Sequence, residues 1–519
     1  MKWQKVQPVL IIIIFFIALA LRLPQLTLRP MHGDEAVNAV KFAQLLERGN
    51  YIYDPQEYHG PTLYYFTLIS TWIGGIDTFK NLSEFSLRII PVIFGLLIIL
   101  SLIYLKKDLD KSVMAISILF LAISPFMVYY NRYFIHESLL VFFSWGIIVT
   151  GYVYSQKRNW LTAIVMGIFL GLTISTKETW VIYVFAGVST LASMGKFRNT
   201  IKELNLKHVT IVICSMLVVI LLFYSSFFTN LQGISDAISA YKNYIIRAGS
   251  NDLHNHPWFY YIGLLTYFKM QGFPLWSEAL IIFLAFIGFI LIIIRRTESV
   301  KKNYLLKFIA IYTALLIFIF SLIPYKTPWN FLGVMPGLII IAAFSLKELG
   351  HLLSKPAVRL IGQIVVLAAI IHLLWQSFQL NYIYYAHPAN PYVYAHPTED
   401  VYKIKAQIDE VVRRHPDGYD LHIQVIAGGN DYWPLPWYLR ACNRIGWWDH
   451  IPDKDPVAPL IIVNAKLESA LIRRLYEVPP PGKRDLYLPL FDSYTELRPG
   501  IELRAYIKKE DWDLVNTSH

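Results

Sequence analysis

Long apolar runs separated by short polar connections organise the first three quarters of the chain. Charge-poor stretches lie near 8–28, 89–105, 113–130, 138–154, 160–176, 179–195, 209–228, 279–294, 308–325, 327–346 and 360–380. Each is close to the roughly 17–25 residues a helix needs to cross a hydrocarbon core, so about eleven membrane-spanning helices are expected. After about residue 380 the runs stop, and Pro and Gly punctuate a more polar sequence. There "LHIQVIA" and "PLIIVNA" predict short buried strands, and "TEDVYKIKAQIDEVVRRH" predicts an amphipathic helix. The expected fold class is a polytopic α-helical membrane protein over 1–380 with a small α/β domain over 381–519.

Composition agrees: of 519 residues, 55% are hydrophobic and only 16% charged, with mean hydropathy +0.44. The formal charge of +11 is spread in short clusters between apolar runs. That is the bias that orients membrane helices, not the continuous basic face a nucleic-acid binder needs. With the N-terminus cytoplasmic, "LKKDLDKS", "SQKRNW", "GKFRNTIKELNLKH", "RRTESVKKNYLLK" and "KELGHLLSKPAVR" all fall inside. The N-terminal segment resembles a signal peptide but lacks a small-residue cleavage site, so it reads as a retained first helix. As a span, "PTLYYFTLISTWIGGI" (61–76) would invert every later loop, so it is expected to lie in the membrane interface. Loops 29–88 and 229–278 and the C-terminal domain are then extracytoplasmic. Cys214 and Cys442 form no disulfide framework or metal-ligand spacing.

This topology brings Asp34, Glu35, His59, Arg132, Glu137, Lys177, Glu178, His254, His256 and Lys326 to one membrane face. Charges at that level are costly unless paired or used. A carboxylate such as Asp34 can take a proton from an acceptor hydroxyl, and Arg132, Lys177 and Lys326 can hold a leaving phosphate. A phosphate delivered from the membrane would be lipid-linked. His59 with Glu57 can bind a divalent cation or serve as a structural histidine, and His254 with His256 is a second candidate metal pair. The aromatic stretch 381–397 reads as an interfacial belt in preference to a sugar platform. "AGGN" lacks nucleotide-loop spacing.

"HGDEAVNA", "YHGPTLYYF", "YYNRYFIHESLLVFF", "GLTISTKETW" and "PYKTPWNFLGVMPG" together resemble the GT-C glycosyltransferases. They are most similar to the dolichyl-phosphate-mannose protein mannosyltransferase and aminoarabinose transferase families, and to a subfamily labelled flippase-activity-associated. The resemblance implies inverting transfer of a sugar, such as a mannose-like hexose, from a polyprenyl-phosphate donor to a protein, lipid or glycan acceptor. It implies Asp34, with Glu35 beside it, as base, and Glu137 as a second acid where relatives often carry Asp. Arg132, Lys177, Lys326, Trp329 and His59 are implied donor contacts, with Trp329 replacing a tyrosine found in some relatives. The alternative is a transporter or flippase-associated protein that moves lipid-linked saccharides without transferring them. Such a protein should place charges at the bilayer midplane and show inverted repeats; here the charges cluster at one face.

Overall fold

The computed structural model of the chain describes residues 2–55, 59–194, 205–248, 254–294, 304–352, 355–452 and 456–517. They form two compact units. The first comprises Met1–Leu26, Gln44–Gly75 and Phe85–Tyr394; the second comprises Thr27–Ala43, Ile76–Glu84 and Ala395–His519. Two segments of the first predicted outer loop therefore group with the C-terminal region, an association that no linear boundary describes.

The helices of the first unit, in chain order, begin with α1 (Lys2–Arg22) and the end of α2 (Gly33–Arg48). There follow α3 (Thr62–Gly74), α4 (Glu84–Ser101), α5 (Lys111–Ile123), α6 (Pro125–Asn131), α7 (Glu137–Lys157) and α8 (Trp160–Ile174). Then come α9 (Trp180–Ser193), α10 (Leu206–Tyr224), α11 (Gln232–Ala248), α12 (Tyr260–Thr266), α13 (Ala279–Ile294), α14 (Tyr304–Leu322), α15 (Met335–Leu352) and α16 (Pro356–Phe378). Between α12 and α13, β1 (Phe268–Lys269) and β2 (Leu275–Trp276) pair antiparallel.

Among the described residues, six segments are long and apolar enough to cross a membrane, and they contain α4, α7, α10, α14, α15 and α16. The pair α5–α6 passes only as a broken span, bent by 58°. Four shorter apolar helices, Pro8–Arg22 within α1, α8, α9 and α13, coincide with predicted segments. Two of these are short for an identifiable reason: Ser175 and Thr176 leave the helix to pair with Gly60 and Thr62. Helix α3 has 13 residues and stops at Gly75, whose φ of 62° is left-handed. At 1.5 Å per residue it reaches about 20 Å.

The core of this unit is built around α15, where every residue from Met335 to Ser345 is buried. Its span is 83% buried, whereas those of α10 and α16 are only 6% buried. A helix apolar on all sides is either interior or lipid-facing, and these three occupy the two extremes. The α5–α6 break is fastened by Glu278. Its carboxylate accepts from Ser124 Oγ (2.6 Å), Phe126 N (2.7 Å) and Tyr392 Oη (2.7 Å).

In the second unit, α17 (Asp400–Arg414) fulfils the predicted amphipathic pattern, burying Val401, Ile404, Ile408, Val411 and Val412. The unit also holds α18 (Leu435–Tyr438), α19 (Glu468–Tyr476) and α20 (Lys509–Thr517). The two apolar runs become β3 (Ile423–Ile426) and β5 (Leu460–Asn464), fully buried and parallel, with Ile423 opposite Leu460. Burial on both faces is why they read as continuous Ile/Val/Leu runs. With β4 (Ile445–Trp448), β6 (Tyr487–Pro489), β7 (Glu496–Arg498) and β8 (Ile501–Lys508) they form a mixed sheet of order β4-β3-β5-β8-β6, with β7 on β8.

Candidate active site

In the second unit the acidic pair opens α2. The backbone N–H of His32 donates to Glu35 Oε2 (3.1 Å), and the N–H of Asp34 donates to His32 Nδ1 (3.0 Å). The first contact has the logic of a capping box, in which a carboxylate reaches back to an amide preceding its own helix. Glu35 is fully buried and lies 3.7 Å from Arg29. Adjacent helical residues point about 100° apart, so Asp34 turns elsewhere. Its side chain is 55% exposed, and the His32 ring is 3.9 Å away. Because His32 Nδ1 accepts an amide proton, it cannot also donate to Asp34; the Asp34 carboxylate retains its basic lone pairs. The ring of His396 supports His32 at 4.9 Å, and Met31 N donates to Tyr438 Oη (2.8 Å).

In the first unit, "HGPT" and "STKE" pair with each other. Gly60 N donates to Thr176 O (3.1 Å), Thr62 N to Ser175 O (3.3 Å), and the Thr62 and Thr176 hydroxyls meet at 2.8 Å. The approach needs glycine: a Cβ on Gly60 would stand 2.2 Å from the Ser175 carbonyl oxygen. Gly60→Ala is therefore expected to cost about 1–3 kcal/mol, as other overpacking changes do, and to show as a lower thermal midpoint.

This clasp sets the neighbouring polar side chains. His59 Nδ1 donates to Glu178 Oε2 (2.9 Å), and Tyr53 Oη donates to Glu178 Oε1 (3.0 Å). Lys177 Nζ and Glu137 Oε1 form a buried ion pair at 2.5 Å. His136 Nε2 donates to Gly60 O (3.0 Å), and its buried Nδ1 has no hydrogen-bond partner. Burial, then nearby His59 and Lys177, hold the His136 imidazole well below the ordinary histidine range. It is a neutral ring.

A second polar group surrounds Lys326, which is 1% exposed. Its backbone N–H donates to His254 O (2.9 Å), and Nζ donates to His256 O (3.1 Å) and Ile323 O. An ammonium has three donors, and these contacts employ two of them on carbonyls. Burial lowers its pKa. His254 Nδ1 and His256 Nε2 share the Tyr394 hydroxyl, at 2.6 and 3.4 Å. Trp329 packs edge-on to Tyr394, with ring centres 5.8 Å apart.

A sequence model of the dolichyl-phosphate-mannose-protein mannosyltransferase family matches residues 58–224. No curated protein sequence matches the chain. Among solved structures, ArnT from Cupriavidus metallidurans bound to undecaprenyl phosphate is 13% identical with TM-score 0.60, over 97% of this chain and 98% of that one. The apo oligosaccharyltransferase of Archaeoglobus fulgidus is 16% identical with TM-score 0.57, over 87% of this chain. The match spans 65% of that protein's length. The archaeal oligosaccharyltransferase AglB from Archaeoglobus fulgidus, in complex with an inhibitory peptide and a dolichol-phosphate, is 14% identical with TM-score 0.58, over 91% of this chain and 71% of that one. The chain has the GT-C glycosyltransferase fold.

Within this GT-C fold the expected residues have different fates. Glu137 and Lys177 are brought together, as an ion pair with each other. The guanidinium of Arg132, expected to hold a phosphate, lies at a helix end. It donates to the carbonyls of Leu21, Arg22, Pro24 and Gln25 at 2.8–3.4 Å and to Tyr382 Oη at 2.9 Å. Arg22 does the same for α5, donating to Leu121 O and Ala122 O at 2.7 and 2.8 Å. Cations are favoured at helix C-termini, where carbonyls are orphaned.

His254 and His256 meet a tyrosine, not a carboxylate, and Glu57 lies outside the described residues. Among the described residues no group of three His, Cys, Asp or Glu is placed to hold an ion. Within the aromatic stretch 381–397, Tyr392 is 2% exposed and bonds Glu278, whereas Ile383 is 54% exposed. Tyr53, His136 and Tyr394 escaped the sequence reading; the only signal was their proximity to the "HGPT", "HES" and "AHP" stretches.

Proposed function

We propose that this protein is an integral membrane glycosyltransferase, moving a sugar, such as a mannose-like hexose, from a polyprenyl-phosphate donor to an acceptor hydroxyl. Counting the broken pair and the four short apolar helices as spans makes eleven crossings. The basic loops then place the N-terminus in the cytoplasm, and the site and C-terminal domain outside it. The observation that carries the reading is the division of the acidic pair, with Glu35 buried as a cap and Asp34 exposed with an unneutralised carboxylate. Asp34 acts as general base on the acceptor hydroxyl. The acceptor oxygen attacks the anomeric carbon as the bond from that carbon to the phosphate oxygen breaks. The electron pair leaves with polyprenyl phosphate, and a single displacement inverts the anomeric centre.

In this reading, following the sequence resemblance, Lys326 and His59 serve the departing phosphate, whose growing charge they stabilise. A charge-assisted hydrogen bond contributes about 1.5–3 kcal/mol. Lys326→Gln is accordingly expected to lower kcat about tenfold or more with donor KM less affected, measured by initial rates across donor concentrations.

The test of the function is transfer in proteoliposomes supplied with radiolabelled polyprenyl-phosphate hexose and a membrane extract as acceptor source. A new glycosidic product establishes the transferase. Movement of the intact donor between leaflets without such a product establishes the transporter instead.

A further inference from the structure

We propose that Tyr432, Trp433 and Trp447 form a stacking platform beside Asp34 for a saccharide, so that the acceptor is a glycan. The inference rests on the transferase reading for the acceptor's role, and on the geometry of the second unit for the platform itself. Strand β3 lies between β4 and β5 and runs parallel to both. The chain passes from β3 to β4 on one side and then to β5 on the other. Open α/β sheets bind ligands beyond the carboxyl ends of their strands, where the strand order reverses in this way.

The loop that leaves β3 carries two of the rings. Gly429 and Asn430 adopt left-handed φ values of 65° and 61°, and Trp433 N donates to Asn430 O (3.3 Å). Tyr432 meets Trp447 of β4 with ring centres 5.0 Å apart and planes inclined by 40°. Trp433 lies 5.9 Å from Tyr432, inclined by 35°. Successive residues of a strand face opposite ways. Trp448 packs on the core cluster of Ile426, Ile461 and Val463, so Trp447 turns to the other face. All three rings are half-buried. A Cβ on Gly33 would stand 3.8 Å from Trp433 Cβ, so the platform begins at the residue preceding Asp34.

A sugar ring needs this combination of groups. Its C–H faces present positive hydrogens, which settle on the negative faces of aromatic rings. Its hydroxyls need donors and acceptors at the edge, and Arg498 and Asp431 supply both. Arg498 Nη2 donates to Asp431 Oδ1 at 2.7 Å, and the two side chains are 23% and 33% exposed. Asp431 directly precedes Tyr432. A serine or threonine acceptor offers only a methylene or methyl beside its hydroxyl, too little to cover three rings.

The test uses the full-length chain in detergent with cellotetraose, mannotetraose and chitotetraose, and a Ser/Thr-rich peptide for comparison. Saturation-transfer NMR should carry magnetisation from the parent protein's aromatic protons to the ring C–H protons of at least one tetrasaccharide. Trp433→Ala and Trp447→Ala are each expected to weaken its binding about tenfold, the upper value for one aromatic contact. Trp433→Phe keeps a ring face and should stay within about threefold of the parent. Trp433→Leu fills much of the same space without that face and should lose what the Phe variant retains. Trp72→Ala removes an exposed tryptophan of the first unit and should change nothing.

Equal binding by the Phe and Leu variants overturns the stacking role, as does parent-like binding by both alanine variants. Binding of the peptide alone, or of none of the three sugars, overturns the saccharide. Transfer is read separately with radiolabelled polyprenyl-phosphate hexose, and label on the bound tetrasaccharide supports both readings. Saccharide binding without transfer to any acceptor defeats the transferase reading and leaves the platform. Transfer to a peptide or lipid without saccharide binding defeats the platform and leaves the transferase.

Discussion

Replacing Asp34 by asparagine is expected to slow sugar transfer by about 10²–10⁴-fold, the range over which a general base acts, while donor affinity stays within about twofold. The substitution preserves shape and removes the proton acceptor. The backbone N–H of residue 34 still donates to His32 Nδ1, and Asn is as compatible as Asp with a helix N-terminus. The helix dipole favours a negative charge there by about 0.3–1 kcal/mol, so a small fall in thermal midpoint should accompany the loss of turnover. Glu35→Gln provides the contrast. Glu35 is fully buried and accepts the His32 amide, so its loss should appear as instability with turnover per folded molecule nearly retained. Single-turnover transfer and equilibrium binding of polyprenyl phosphate separate the two effects. A parent-like transfer rate in Asp34→Asn would assign the base to another group.

The second large effect concerns Arg132. Arg132→Met is expected to destabilise the protein by about 3–5 kcal/mol, the cost of breaking a buried charged network by removing one partner. The guanidinium is 5% exposed and donates to the carbonyls of Leu21 and Arg22 at the end of α1, of Pro24 and Gln25 just beyond it, and to Tyr382. Methionine keeps the volume of the stem but withdraws all of these donors, and although Leu21 O still accepts from the Tyr382 hydroxyl, each buried acceptor left without a donor costs about 1–3 kcal/mol. Thermal unfolding in detergent reads the loss, and polyprenyl phosphate binding by the folded fraction should be unchanged. Normal stability with weakened donor binding would instead return Arg132 to the phosphate.

What the sequence determined by itself was whatever depends on neighbours along the chain. Apolar runs located the helices, because hydropathy and helix length are local properties. The period of Val401, Ile404, Ile408 and Val411 specified α17, and the mainly apolar runs at 421–427 and 459–465 specified β3 and β5. The order of short motifs was enough to point to the GT-C fold. The site was legible only as a set of residue types at one membrane face.

Tertiary structure decided which of those residues are partners. Arg132 lies more than 100 positions from every carbonyl it caps, and Glu178 lies 119 positions from His59. Neither pairing leaves a periodic trace in the sequence. The division of Asp34 from Glu35 was hidden for a different reason: two identical charges differ only in which way the first turn of α2 points them. A charge is read from sequence, but whether it is neutralised, capped or left available depends on the atoms that folding brings to it.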